Sequence, residues 1–301
     1  MAGTLHLACA ADATYIPHCA AMLHSVLDQH GGLELAVHFL HGPGLEPSAR
    51  DALARMVEGG SAAITFHEIR DAAVAGLPVH GYFTAAMWYR VLAPELFTDL
   101  NRVLYLDADT IAVDSLTPLW DMDLHGKIVA AVTNVLEPLY ATRPRQLGLP
   151  ASQQYFNTGV LLMDLAAMRR DGWASALFEY ARAAGEELIW PDQDTYNVVL
   201  GAHRLALHPR WNCMNSVMHL EASVEVFGSK AVAEARAHPA IRHFEGPGLN
   251  KPWHYLCDWA HRDAYLVHRR QTPWPRVRFE EATLANRARR LARRLRRVSQ
   301  R

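Results

Sequence analysis

"RVLYLDADTIAVDS" (residues 102–115) sets four consecutive apolar residues, Val103 to Leu106, directly before two aspartates one residue apart, Asp107 and Asp109. A short apolar run ended by turn-forming aspartates predicts a buried strand over 102–109 with both carboxylates at its C-terminal end. In open α/β sheets that end is where ligands sit. Upstream, "LHLACAA" (5–11), "LAVHFLH" (35–41) and "AAITFHEI" (62–69) read as further strands. Between them lie two helical patterns. "IPHCAAMLHSVLDQH" (16–30) carries Cys19, Met22, Leu23 and Val26 on one face and stops at Gly31-Gly32. "PSARDALARMVEGG" (47–60) has Ser48 as an expected cap. Strand and helix alternate, so the strands pair in parallel and the start is Rossmann-like. "TAAMWYRVLAPELF" (84–97) predicts a helix that Pro94 ends or bends. "KIVAAVTN" (127–134) and "FNTGVLLMDL" (156–165) predict strands, and "WASALFEYARAAG" (173–185) a helix. The fold class is α/β, a mixed, mostly parallel sheet flanked by helices.

The 301 residues are half hydrophobic and one-fifth charged, which suits a globular protein with a large core. No run of 18 apolar residues suggests a membrane span. "MAGTLHLACAADATY" lacks a basic leader, and Asp12 comes early for a secretory signal. Cys9, Cys19, Cys213 and Cys257 show no Cys-x-x-Cys spacing, so reduced thiols in a cytoplasmic protein are expected. The net charge of −1 hides an asymmetry: residues 1–275 hold 20 basic against 29 acidic residues, while 276–301 hold 10 arginines against 2 acids. We place a boundary after "TPWP" (272–275), giving a catalytic-size domain over 1–275 and a basic tail over 276–301. In that tail Leu284, Ala288, Leu291, Leu295 and Val298 recur at intervals of four and three, one apolar stripe on an arginine-rich helix. Such a helix suits an anionic membrane surface, contacted through 284–301 on the inner face of the cytoplasmic membrane. Each arginine there contributes about 1 kcal/mol. Nucleic acid is not expected, because no aromatics interleave the basic residues.

Two carboxylates at a strand end supply hard oxygen ligands for Mg²⁺ or Mn²⁺. Two chemistries use such a pair. A glycosyltransferase holds a cation against a nucleotide diphosphate; a haloacid-dehalogenase-type phosphatase uses Asp-x-Asp-x-Thr, which Thr110 completes. The phosphatase needs a Lys on a later helix and a second acidic pair. This chain has three lysines, Lys127, Lys230 and Lys251, and no Gly-Asp. The transferase finds its partners in "IRHFEGPGLNKPW" (241–253): His243 as a third ligand that favours Mn²⁺ over Mg²⁺, Gly246 and Gly248 for close backbone approach, and Lys251 as a point charge for phosphate. A non-catalytic sugar-nucleotide-binding protein is the remaining alternative.

Six segments in order, "AADATY" (10–15), "MWYRVL" (87–92), "YLDADTIAVDSLTPLW" (105–120), "YFNTGVLLMDL" (155–165), "PDQDTYN" (191–197) and "HFEGPGLNKPW" (243–253), carry a resemblance. The chain resembles glycosyltransferase family 8, and within it the bacterial lipopolysaccharide α-galactosyl- and α-glucosyltransferases. The resemblance implies a GT-A fold, a UDP-galactose or UDP-glucose donor, Mn²⁺, retention of anomeric configuration, and a lipopolysaccharide or other cell-surface glycan acceptor. By motif position Asp107, Asp109 and His243 are the implied metal ligands. Ala10, Asp12, Thr14 and Tyr15 are the implied uridine site, and Ala108 and Arg90 lie near the diphosphate. Asn157, Asp192 and Gln193 are implied to hold the sugar and shape the reacting face, and Gly246 and Lys251 to bind the phosphate that departs. Front-face attack stabilised by Gln193 and double displacement through Asp194 are both open. Two departures stand out: Asn134 replaces an acidic residue, and the "GPGLNK" spacer (246–251) is longer than usual.

Overall fold

The computed structural model describes residues 3–81 and 83–299. β1 (Leu5–Ala10), β2 (Leu35–His41) and β3 (Ala63–Glu68) are joined through α1 (Ile16–Gln29) and α2 (Pro47–Gly59), and β4 (Arg102–Leu106) follows after 3₁₀ and short α turns between 71 and 96. The first three strands and β4 pair in parallel, with Leu5 opposite Leu35 and Leu7 opposite Leu104. β6 (Val129–Val132), β7 (Val160–Asp164) and β8 (Arg204–Leu207) complete a seven-stranded sheet in the order β3-β2-β1-β4-β7-β6-β8. β7 runs against both neighbours, with Tyr105 opposite Leu161. A two-stranded ribbon of β5 (Thr110–Ala112) and β9 (Ile241–His243) sits apart and pairs Thr110 with His243.

Burial on both faces explains the unbroken apolar runs. In β4, Leu104 and Leu106 pack with Met22, Leu23 and Val26 of α1. Val103 and Tyr105 point the other way, onto Trp88, Val91 and Met168. Such runs carry no period-2 signal, which is why the direction of β7 is not readable from its residues.

Three local expectations change. α2 is capped at Glu46 with Pro47 in its first turn, so Ser48 lies inside the helix and is not its cap. Residues Ala85–Leu92 form a 3₁₀ run, and a short α-turn, Ala93–Leu96, follows with Pro94 in its first turn. Proline lacks the N–H an α-helix would need there, yet fits the opening turn of a new segment. The strand expected over 102–109 ends at Leu106, and the aspartates belong to the turn beyond it.

The stretch from 276 to 290 contacts the body. Glu280 exchanges backbone hydrogen bonds with the Trp253–Tyr255 stretch: the Tyr255 amide donates to its carbonyl at 2.9 Å and its own amide donates to the Trp253 carbonyl at 3.0 Å. Helix Leu284–Ser299 follows, and Arg290 Nη1 donates to the Tyr255 carbonyl at 3.1 Å. The side chains of Leu295 and Val298 lie outside the described residues. No helix among the described residues is long and apolar enough to cross a membrane.

Asp164 ends β7 and caps helix Leu165–Asp171, its Oδ1 accepting from the Ala167 amide at 2.8 Å. Asp164→Ala should cost about 1 kcal/mol. Urea unfolding should show the lower midpoint with an unchanged slope.

Candidate active site

β4 delivers Asp107 to the sheet's carboxyl edge, and the turn that follows aims Asp109 at β9. Thr110 closes that turn: its amide and its hydroxyl both donate to the Asp107 carbonyl, at 3.2 and 2.8 Å. The hydroxyl that would complete a phosphatase motif is spent on the backbone. One ligand atom each from Asp107, Asp109 and His243 lies within 4.8 Å of the others. The imidazole Nε2 stands 3.2 Å from Asp109 Oδ1. Its Nδ1 donates to Asn212 Oδ1 at 2.9 Å, which orients the ring and leaves Nε2 as the ligand atom. Lys251 Nζ donates to Asp109 Oδ2 and, at 3.1 Å, to the Phe244 carbonyl. Asp107 Oδ1 accepts from Arg90 Nη2 at 2.8 Å and from the Tyr105 hydroxyl at 3.2 Å.

These charges answer one another. Burial alone would raise the Asp109 carboxyl, but Lys251 and His243 hold it well below the carboxylate range. Burial opposes the charged forms of Lys251 and His243 as well, and Asp109 outweighs it in both, raising their pKa values. Arg90 is raised likewise, with Asp107 overcoming desolvation.

Gly159 sets the floor. Its carbonyl accepts from the Asp107 amide at 2.8 Å. A Cβ at this position would lie 2.3 Å from His243 Cε1 and 2.8 Å from Asp107 Oδ2. Two carboxylates, an oriented imidazole and a floor without a side chain fit a divalent cation of Mn²⁺ or Mg²⁺ type.

Behind the triad runs a chain of polar contacts. Asn212 Nδ2 donates to Asn157 Oδ1 (2.7 Å), Asn157 Nδ2 to Gln193 Oε1 (2.8 Å), and Gln193 Nε2 to the Tyr155 hydroxyl (3.2 Å). The Tyr155 hydroxyl in turn donates to Asp194 Oδ1 at 2.5 Å. Helix Pro191–Leu200 supplies Asp192, Gln193 and Asp194 from its first turn. Asp192 Oδ2 accepts from the Thr158 hydroxyl at 3.1 Å and lies 3.4 Å from Arg90 Nε. Burial raises the Asp192 carboxyl despite Arg90.

These residues surround a cavity of about 540 Å³. Ala10, Asp12 and Tyr15 form one end, where Asp12 Oδ1 accepts from the Thr14 and Tyr15 amides and Oδ2 from Thr84. Arg90, Ala108, Asn157, Gly246 and Lys251 line the middle with the triad, and Asp192 and Gln193 the far wall. Three expected site residues do not reach it: Gly248, in the turn Gly248–Asn250, does not line the cavity, and neither do Thr14 and Asp194. Thr14 donates its hydroxyl to Asp12 at 2.6 Å and shapes the turn from outside. Asp194 is fully enclosed: Arg143, the Ile189 and Trp190 amides and Tyr155 all donate to it. Its nearness to Gln193 in sequence suggested chemistry, but the helix turns it to the opposite side. Sequence reasoning missed Asn212, Tyr155, Thr158 and Gly159, along with the cavity-lining Tyr140, Trp190 and His219. "FNTG" was a signal for Gly159; nothing local marked Asn212.

A mostly parallel sheet with an Asp-x-Asp turn and a cavity at its carboxyl edge defines a GT-A-type glycosyltransferase. The chain belongs to glycosyl transferase family 8, whose profile matches residues 6–257. It is 28% identical over 278 residues to General stress protein A of Bacillus subtilis (strain 168), covering 90% of this chain and 94% of that one. It is 27% identical over 225 residues to a lipopolysaccharide 1,2-glucosyltransferase of Escherichia coli (strain K12), covering 74% and 65%. The crystal structure of the galactosyltransferase LgtC with donor and acceptor sugar analogues superposes with a TM-score of 0.79 at 26% identity, covering 89% of this chain and 96% of that one.

Gly159→Ala should displace His243 or Asp107 and weaken divalent-metal affinity by about 10- to 100-fold, the range for changes just behind metal ligands. Titration of Mn²⁺ by calorimetry reads this directly. Asp194→Asn should leave the Arg143 charge buried and unpaired, at a cost of about 3–5 kcal/mol. Denaturant unfolding should show that loss of stability.

Proposed function

We propose that this glycosyltransferase moves a hexose, galactose or glucose, from a UDP-sugar to a lipopolysaccharide or other cell-surface glycan acceptor, with retention of configuration. Asp107, Asp109 and His243 would hold Mn²⁺, with Mg²⁺ less suited to the imidazole. The observation that carries the reading is the convergence of this triad with Lys251 in one cavity. The E. coli relative is a lipopolysaccharide glucosyltransferase and LgtC a galactosyltransferase, which supports the choice of hexose and acceptor class.

A cation held by Asp107, Asp109 and His243 would supply positive charge to offset that of a leaving diphosphate. Lys251 adds a buried positive charge beside the same position, where low dielectric strengthens its pull on the leaving phosphate. Tyr15 and Asp12 stand at the end suited to the uridine, the ring offering a stacking face. Arg90 spends its guanidinium on Met87, Thr158 and Asp107 (3.0, 2.6 and 2.8 Å), so it serves the donor by fixing the two carboxylates, Asp107 and Asp192.

Retention follows best from front-face attack. The acceptor hydroxyl approaches C1 on the side UDP leaves, and its proton passes to the departing phosphate oxygen. Gln193, tied at both ends of its amide, presents a fixed dipole to the positive centre. The enclosure of Asp194 by five donors argues against its serving as the nucleophile of a double displacement. The helix beginning at Leu284 is proposed to rest on an anionic membrane surface on the cytoplasmic side, close to a lipid-linked acceptor.

UDP with Mn²⁺ at about a hundred times the dissociation constant should add about 2.7 kcal/mol and raise the melting midpoint. UDP alone should give a smaller shift, and Asp107→Asn should abolish the metal-dependent part. A metal-independent shift of full size would remove the triad from the donor site. Truncation after Leu291 removes five arginines while keeping the Arg290 contact with Tyr255. It should lower sedimentation with anionic vesicles and leave turnover of a soluble acceptor unchanged.

A further inference from the structure

A second pocket lies outside the donor cavity, between the first turn of α1 and the chain that follows helix Arg262–Arg270. Pro17 and His18 form one side; Arg269, Trp274, Arg276 and Arg278 form the other. Three arginines line it and no acidic side chain does. Among the described residues none of the three takes part in an ion pair.

Arg269 is the informative one. It is only 5% exposed. Its guanidinium meets the Tyr265 hydroxyl, its Nη1 reaches Thr272 Oγ1 at 3.3 Å and its Nη2 the Arg276 carbonyl at 3.4 Å, the last two long, and its Nε has no hydrogen-bond partner among the described residues. The other deeply buried arginines are better served. Arg90 and Arg143 each meet a carboxylate. Among the described residues Arg242 and Arg262 have no ion pair, but Arg242 donates to the Ala260, Cys213 and His243 carbonyls and to Asn215 Oδ1, and Arg262 to the Pro252 and His254 carbonyls at 2.8 and 3.0 Å. A buried cation with neutral acceptors only and a free Nε lacks a counter-ion, and an anion entering the pocket would supply one.

Guanidinium forks match phosphate oxygens in pairs. His18 does not compete for the anion as a cation: burial, then Arg269 and Lys251, push its imidazole down to about 3. Its Nδ1 is taken by the Tyr265 hydroxyl at 2.6 Å. Trp274 and Pro17 give apolar surface for the organic part of an ester.

We infer that this pocket binds a phosphate ester, its phosphate held by Arg269, Arg276 and Arg278 and its organic substituent resting on Trp274. The site shares a wall with the donor cavity. The His18 ring stacks on Trp253 with centroids 3.5 Å apart, and Trp253 meets the Tyr15 ring edge-on at 5.7 Å. The ester's source is either a soluble metabolite or a phospholipid headgroup, and both present the same chemistry. The assignment does not depend on which sugar or acceptor the donor cavity serves.

Calorimetric titration of the full chain with inorganic phosphate and with glycerol 3-phosphate tests it. Wild type and Lys251→Ala should bind alike, since Lys251 belongs to the other cavity. Arg276→Glu/Arg278→Glu changes exposed positions only and should weaken binding at least about tenfold, the loss of one or more charge-assisted contacts. Arg269→Gln should weaken it as well, with circular dichroism confirming the fold. Phosphatidylglycerol vesicles separate the sources, using Arg55→Glu/Arg182→Glu, exposed positions outside both the pocket and the basic helix, as a charge-matched control. A headgroup source predicts that the pocket variant loses more vesicle retention than the control and that glycerol 3-phosphate competes. A soluble source predicts equal retention in the two variants alongside pocket-dependent binding of the soluble ester. Undiminished phosphate binding by the pocket variant, loss of binding in Lys251→Ala, or no binding by folded wild type would overturn the assignment.

Discussion

The hydrogen bond from the Asp107 amide to the Gly159 carbonyl, 2.8 Å long, joins the two strands on which the site is built. β4 arrives at the sheet's carboxyl edge and stops. β7, running the other way, begins at that same edge, so the turn before it and the turn after β4 face each other. One turn brings the Asp-x-Asp carboxylates; the other brings Asn157, Thr158 and Gly159. The absence of a side chain at 159 lets the imidazole from β9 descend between them. Three stretches separated by about fifty and eighty residues thus meet because one backbone pair is in register and one position is empty.

Charge is handled with similar economy. Asp109 meets Lys251 and His243, Asp107 and Asp192 share Arg90, and Asp194 is held by Arg143. Each of these four carboxylates has a named cation, so the desolvation that burial imposes is offset locally. The consequence for chemistry is rigidity. The groups that meet the donor are already fixed when it arrives, which is the condition for electrostatic stabilisation without reorganisation.

Much of this was legible in the residues. The first half of the sheet follows from alternating apolar runs and helical periodicity, and the meeting of Asp107, Asp109 and His243 with Lys251 was expected from carboxylates at a strand end together with a later His and Lys. The antiparallel direction of β7 was not legible, because Val160 to Met163 are buried on both faces and show no alternation. The 3₁₀ run over 85–92 was hidden because its apolar spacing also satisfies an α-helix, and only Pro94 hinted otherwise. The site residues that escaped, Asn212 and Tyr155 above all, act by orienting others. Their value lies in long-range contacts that no local pattern encodes. Asp192, Gln193 and Asp194 look equivalent on paper, and only the pitch of the helix separates the two that meet the cavity from the one beneath it.

The excursion between β6 and β7 carries Leu136, Glu137 and Tyr140 to the cavity rim. It is fastened at its far side by Arg143 on Asp194 and by Gln153 Nε2 on the Asn197 carbonyl at 2.7 Å, the latter packed where residue 201 has no Cβ to spare. Both fasteners lie outside the stretch 136–142, and Leu139 within it is 80% exposed. Sequence can therefore drift across those seven positions without loosening either clasp or disturbing the carboxylates. Divergence of the molecule's clientele is cheap at this rim and expensive at its floor.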